Sequence, residues 1–140
     1  MAVLPASTNH QYRGANIAAW FLLLSGFLEV VPGLIHYFIP LPAAEQIAGL
    51  ALGHNAALVI GMFSWTGAVQ IPFGLALMLV AVRFRSLVPL FLLLNFLERG
   101  LMTLAAWVLY PAPHHPPEAY VSPVSAAVLL VFFLLSLRTA

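Results

Sequence analysis

The first long apolar segment of the chain, residues 16–39, reads NIAAWFLLLSGFLEVVPGLIHYFI. A transmembrane helix needs about 20 predominantly apolar residues to cross a hydrocarbon core about 30 Å thick, and this segment meets that requirement. It does so although Glu29, a charged residue, lies near its middle. We therefore predict a membrane-spanning helix that carries a carboxylate at the depth of the lipid tails.

Three further apolar segments follow, at about residues 56–82, 87–110 and 122–137. Helices are expected because each helix satisfies its own backbone hydrogen bonds in lipid, and because the alternation that is typical of barrel strands is absent. The fourth segment is the shortest, and residues 126–135 within it are all apolar. We predict a single all-α integral membrane domain over residues 1–140, folded as a four-transmembrane-helix antiparallel bundle.

The composition of the whole chain agrees with this class. Of 140 residues, 63% are hydrophobic and 6% are charged, whereas about a quarter of an average soluble chain is charged. A net charge of +1 without a basic run argues against nucleic acid as a partner. The absence of cysteine excludes disulfides, thiolate metal sites and a cysteine nucleophile.

The arginines predict the orientation of the chain in the membrane. Arg13, Arg83, Arg85 and Arg138 fall on one side if the four spans alternate, whereas loops 40–55 and 111–121 on the other side contain neither Arg nor Lys. The positive-inside rule then places both termini in the cytoplasm. We predict an integral protein of a bacterial cytoplasmic (inner) membrane.

Polar residues near the middle of the first three spans are expected to meet inside the bundle. They are Glu29, Gln70, Asn95, Glu98 and Arg99. A charge at mid-bilayer costs about 2.5–3.5 kcal/mol on insertion scales, so such residues usually face a bundle interior or a water-filled cavity. The sequence therefore predicts one buried polar cluster, which either binds a ligand or proton or serves as packing contacts between helices.

Helical spacing indicates how the cluster is arranged. Ser25, Glu29, Gly33 and His36 recur on one face of the first span. Arg99 stays protonated and can pair with one carboxylate, so we predict an ion pair between Glu29 and Arg99 across two helices. Glu98 is then left as the candidate proton carrier, because neighbouring residues on a helix point about 100° apart.

Each residue of the candidate site has a predicted role. The candidate catalytic residues, for acid–base chemistry, are Glu98 and Glu29. The candidate ligand-binding residues are Arg99, Gln70, Asn95, His36, Trp65 and His54. We expect His36 and His54 to line an entry from the outer leaflet, and Trp65 either to contact the ligand or to fill a gap in the core. No metal site is predicted, since the histidines lack helical metal-ligand spacing.

The end of the first span and the loop after it resemble those of the DoxX-like small four-helix bacterial membrane proteins. The resemblance is carried by GLIHYFIP at residues 33–40 and AAEQIAGLAL at residues 43–52, and it covers residues 25–52 together with the four-span layout. Members of that group are linked to membrane redox complexes and quinone-linked oxidation. The resemblance implies a comparable fold and a link to quinone chemistry, and it brings no catalytic residue with it.

These features favour one function and leave two others open. The favoured function is binding of an apolar small molecule with a polar head, such as a quinone, isoprenoid or lipid, at the Glu/Arg/Gln cluster, with acid–base chemistry as a further option. The alternatives are a non-catalytic subunit of a larger membrane redox complex and a proton-coupled small-molecule transporter. The expected partners are membrane lipid, the apolar ligand and either other membrane subunits or further copies of the chain. The sequence names no cofactor.

Overall fold

A computed structural model describes residues 3–138, and over this range the chain is helical without any strand. The four long helices are α1 (Asn16–Phe38), α2 (Ala56–Arg83), α3 (Val88–Leu104) and α4 (Pro117–Ser136). A 3-10 turn, Arg85–Leu87, leads into α3, and a π turn, Ala105–Leu109, extends it. The four resulting helical segments are long and apolar enough to cross a membrane, which indicates an integral membrane protein.

The shorter helical elements lie outside the spans. A 3-10 turn, Asn9–Gln11, precedes α1. Between α1 and α2 the chain forms a helical turn, Pro40–Pro42, a π turn, Ala43–Ile47, and a 3-10 turn, Gly53–Asn55. These elements fold over the ends of the long helices, and the alanines of the π turn are buried.

The fourth helix begins earlier than the sequence predicted. It starts at Pro117 rather than near residue 122, so that it is 20 residues long and brings Glu118 into its first turn. Proline suits the first turn of a helix because its missing N–H would be unpaired there in any case. Pro123 lies inside α4 and cannot bond the carbonyl of Ala119, but the indole N–H of Trp107 donates to that oxygen at 2.8 Å. Helix α4 therefore continues past Pro123, although the sequence pattern around this proline is typical of a loop.

Glycines bring α1 and α2 into backbone contact. Gly26 of α1 lies against Gly74 of α2, and Gly33 lies against Gly67, so each helix presents two glycines separated by two turns. Small residues at such an interface let helices approach closely in lipid, where apolar side chains gain nothing by leaving the solvent. The contact between α1 and α2 is the most extensive in the fold, and α3 packs mainly on α4.

The apolar core lies toward the end of the bundle that carries Arg83 and Arg85. Its members are Ala18, Ala19, Leu22, Leu77, Val80, Ala81, Phe84, Val88, Leu92 and Leu129. The rings of Phe21 and Phe132 stack beside it with centroids 3.9 Å apart. The other half of the bundle, from Ser25 on α1 outward, contains the buried polar residues.

The segment that precedes α1 covers the arginine-bearing end. Asn9 donates from Nδ2 to the carbonyl of Val82 at 2.7 Å and accepts from the backbone N–H of Arg85 at 3.2 Å. The Arg83 guanidinium donates to the carbonyl of Pro5. Since the last carbonyls of a helix lack partners within the helix, these contacts complete the end of α2.

Candidate functional site

An ion pair between Glu29 and Arg99 forms the centre of the candidate site, and this confirms the predicted pairing. The Arg99 guanidinium, through Nη2, contacts Glu29 Oε1, which joins α1 to α3. The Glu29 side chain is 1% exposed, and both residues lie near the middle of their spans. A buried carboxylate needs such a partner, because an isolated charge in an apolar environment is very unfavourable.

His36 and Gln70 extend the polar contacts from α1 to α2. His36 Nδ1 and Gln70 Oε1 are 2.9 Å apart, so the imidazole donates to the amide oxygen when Nδ1 carries the proton. The imidazole is buried and meets the ring of Phe63 edge-on at 5.2 Å. The four polar or small residues predicted to share one face of α1, which are Ser25, Glu29, Gly33 and His36, are all buried.

Glu118 belongs to the same group of side chains and was not predicted from the sequence. Its Oε1 lies 3.8 Å from His36 Nε2, an ion-pair distance when the imidazole is protonated and too long for a hydrogen bond. In the sequence, Glu118 falls in loop 111–121, outside the four predicted spans. The signal that would have found it is Pro117, because Pro followed by Glu is typical of the first turn of a helix.

A cavity of about 430 Å³ lies against these residues, between α1, α3 and α4. Its polar wall consists of Ser25, Glu29, Gln70, Asn95, Arg99, Glu118 and Ser125. Its remaining wall is formed by Phe21, Leu28, Pro32, Pro117, Val121, Val124, Val128 and Leu129. Small-molecule sites in proteins typically have volumes of about 300–1,000 Å³, with mostly apolar walls and a few polar groups. The cavity fits that description.

The cavity is elongated along the helix axes. It extends from Phe21 to Pro32 on α1 and from Leu129 to Pro117 on α4. At about 1.5 Å per residue these stretches are about 17 and 18 Å long. The charged groups gather in the half near Pro32 and Pro117, whereas the half near Phe21 and Leu129 is uncharged and mostly apolar, with Ser25, Asn95 and Ser125 as its polar residues. A molecule with a polar head and an apolar tail matches this division.

Two buried oxygen atoms in the cavity wall lack hydrogen-bond partners. They are Glu29 Oε2 and Asn95 Oδ1, and the side chain of Asn95 is 2% exposed. A buried acceptor without a donor costs about 1–3 kcal/mol. Such atoms are uncommon in folded proteins, and at the wall of a cavity they are open to a donor from a bound group or a water molecule.

One side of the cavity opens toward the lipid. Leu28 of α1 and Val124 of α4 line the cavity, yet they are 61% and 64% exposed. The contact between α1 and α4 is much less extensive than that between α1 and α2. The stacked rings of Phe21 and Phe132 join α1 to α4 toward the arginine-bearing end, and the cavity reaches the outer surface of the bundle beside Leu28 and Val124.

Four of the predicted site residues do not line the cavity, and one of them, His36, is linked to it only through Gln70 and Glu118. Trp65 is 78% exposed, so its indole faces the lipid and neither contacts the cavity nor fills a core gap. His54 is exposed in the turn before α2, and it does not line an entry beside His36. Glu98 is partly buried with Oε2 unpaired, but it is outside the lining residues, because it points to a different side of α3 from Arg99.

The two histidines of the proline-rich loop have structural contacts. His115 stacks on Trp107 with centroids 4.2 Å apart, and His114 Nε2 lies 3.1 Å from the carbonyl oxygen of Ala48. Within residues 3–138, no three His, Cys, Asp or Glu side chains gather in a group that could hold a metal ion. The loop histidines thus brace the end of α3 and the segment before α2.

Comparison of the chain with protein-family models, with curated proteins and with solved structures finds no match. The resemblance to DoxX-like membrane proteins therefore stays a prediction. The class of the protein follows from its own features, namely four helices able to cross a membrane and a polar-walled cavity among them. It is a helical integral membrane protein with a ligand-sized cavity inside.

Proposed function

We propose that this protein binds an apolar molecule with a polar head, of the quinone, isoprenoid or lipid type, in the cavity between α1, α3 and α4. The head would lie at Glu29, Arg99 and Asn95. The tail would lie along the apolar wall toward Phe21 and Leu129. The observation that carries this proposal is the cavity itself, which is charged at one end, uncharged and mostly apolar at the other, and lined by two unpaired buried oxygens.

The membrane arrangement that goes with this proposal is an antiparallel bundle with both termini in the cytoplasm of a bacterial cell. The hydrogen bonds of Asn9 to Val82 and Arg85 support it, because they bring the start of the chain to the link between α2 and α3. Arg83 and Arg85 lie at that same end, and the positive-inside rule favours the cytoplasm for it. The charged half of the cavity then lies toward the outer face.

Glu29 is the carboxylate best situated for acid–base chemistry on a bound head group. It lines the cavity, its Oε2 is unpaired, and Arg99 on the other oxygen holds the carboxylate in place. A general base must come within hydrogen-bond reach of the proton that it takes, and a head group bound at the polar wall would lie beside Glu29 Oε2. Glu98, the other candidate, does not line the cavity.

Native mass spectrometry of the protein released gently from membranes tests the proposal. The informative variant is Ser125→Phe, which fills the cavity from α4. Its matched control is Ala127→Phe on the exposed side of the same helix. We expect an organic adduct of one molecule per chain in the wild type and in Ala127→Phe, and its loss in Ser125→Phe. Chains without any adduct, or with a protein partner alone, would contradict the proposal and favour the structural subunit.

A further inference from the structure

The charged side chains around the cavity do not balance. Glu29 of α1, Arg99 of α3 and Glu118 of α4 line it, and α2 contributes the neutral Gln70. His36 stands behind Glu118 at 3.8 Å and adds no charge while it is neutral. Because the Arg99 guanidinium is matched by Glu29, the carboxylate of Glu118 leaves the cavity wall with one formal negative charge.

The fully buried hydrogen-bonding atoms of the cavity wall also lack counterparts, because acceptors are left without donors. Glu29 Oε2 is an acceptor and has no donor, although the residue is fully enclosed by the bundle. Asn95 Oδ1, the second unpaired atom in the wall, is also an acceptor. Glu29 carries the stronger argument, since both oxygens of an ionised carboxylate can only accept. The fully buried atoms of this wall that lack partners are therefore acceptors, and a ligand that satisfies them must donate hydrogen bonds.

We infer that the head group bound in this cavity is a protonated primary amine, so that the ligand is a lipophilic amine with a single apolar chain. This inference rests on the proposed function and names the ligand class for the same site. An ammonium group has three N–H donors and one positive charge, which match the unpaired acceptors and the excess carboxylate together. A primary amine with a pKa near that of lysine, about 10.4, is protonated at neutral pH.

Other head groups match the wall less well. An alcohol offers one donor and no charge, and a quinone carbonyl offers acceptors alone, for which Arg99 is the available donor. A carboxylate would add a second uncompensated negative charge beside Glu118 in a medium where charges are poorly screened. A quaternary ammonium has the charge but lacks an N–H for Glu29 Oε2.

A matched set of amphiphiles tests the inference. The protein is placed in phosphatidylcholine nanodiscs at neutral pH and titrated with decylamine, decanol, decanoate, decyltrimethylammonium and a benzoquinone bearing a decyl chain. Isothermal titration calorimetry measures each affinity, and titrations of empty nanodiscs are subtracted to remove partitioning into lipid. We expect decylamine to bind at least tenfold more tightly than decanol, with decyltrimethylammonium between them. Equal or tighter binding of decanol, decanoate or the quinone would overturn the inference and leave the proposed function standing.

Variants show whether the preference arises at Glu29. Glu29→Gln should bring the affinity ratio of decylamine to decanol close to one. The control is Glu45→Gln, which removes the same charge from an exposed position outside the cavity and should leave this ratio unchanged. If Glu29→Gln does not fold, Glu118→Gln keeps the ion pair with Arg99 intact and should lower the ratio at least threefold. An unchanged ratio in the variant that folds contradicts the inference. If none of the five amphiphiles gives saturable binding, the proposed function itself fails.

Discussion

Gly26 of α1 and Gly74 of α2 approach so closely that a Cβ atom built on either residue would lie 2.7 Å from the carbonyl oxygen of the other. This reciprocal contact holds the two backbones together at the depth where α1 carries Glu29 and α2 carries Gln70. A Cβ on Gly74 would also lie 2.9 Å from the Cβ of Glu29. A side chain at position 74 would therefore press on Glu29 as well as on the backbone of Gly26.

We predict that Gly74→Ala destabilises the protein by about 1–3 kcal/mol, because an added methyl group must push apart two packed backbones. The matched controls are Gly61→Ala and Gly100→Ala, at helical positions where a Cβ meets nothing within 4 Å. These controls should be neutral or slightly stabilising, since Ala favours a helix over Gly. Thermal unfolding of the purified variants in one detergent makes the comparison, and equal midpoints for all three would disprove the contact.

The ion pair predicts strongly coupled effects of mutation. Arg99→Met leaves the carboxylate of Glu29 buried without a partner, and removal of one member of a buried pair costs about 3–5 kcal/mol. The double variant Glu29→Leu with Arg99→Met removes both charges and should be more stable than Arg99→Met alone. Detergent unfolding curves for the two single variants and the double variant measure this coupling. Additive losses would show that the two side chains do not interact.

Trp65 should report lipid rather than ligand. In a variant whose other tryptophans, Trp20 and Trp107, are changed to Phe, we expect lipids brominated in mid-chain to quench the fluorescence strongly. The reason is that the indole of Trp65 is 78% exposed near the middle of its span. The companion variant that keeps Trp107 alone should be quenched much less, because Trp107 lies near the end of its span against His115. Similar quenching of both would contradict this assignment.

The hydrogen bond from Trp107 to Ala119 should matter because of Pro123. Trp107→Phe leaves the Ala119 carbonyl without a donor, and we expect a loss of about 1–3 kcal/mol in stability. Pro123→Ala restores a backbone N–H four residues after Ala119, so Trp107→Phe should cost less in that background. A double-mutant cycle by thermal unfolding measures the difference. An identical cost in both backgrounds would show that the indole is not compensating for the proline.

The sequence predicted the spans and the central ion pair for physical reasons that act locally. Hydropathy determines which segments can cross a membrane, and helical periodicity placed Glu29 and His36 on one buried face. The charge count then paired Glu29 with Arg99, because Arg99 is the sole cation near mid-membrane. These arguments need no knowledge of how the helices are spaced.

The remaining features depend on packing between helices, which the sequence pattern does not contain. Glu118 was missed because three prolines surround its segment, and the indole that compensates for Pro123 comes from another helix. Trp65 was predicted to contact a ligand or fill a core gap because a tryptophan in the middle of a span can face either the bundle interior or the lipid. Periodicity on a uniformly apolar helix does not distinguish these two faces. The cavity lies where α1, α3 and α4 do not fill the space between them, and that arrangement depends on the contacts of all four helices.

The opening of the cavity beside Leu28 and Val124 makes the membrane, rather than the water around it, the source of the ligand. A ligand that enters through Leu28 and Val124 comes from the acyl-chain region, so the concentration that fills the cavity is its mole fraction in the bilayer. The concentration of the ligand in water matters only because it sets how much ligand partitions into the bilayer. Two ligands that make equal contacts in the cavity therefore differ in apparent affinity when their solubilities in lipid differ. Dilution of the membrane with added lipid or detergent should therefore empty the site even when the aqueous concentration is held constant.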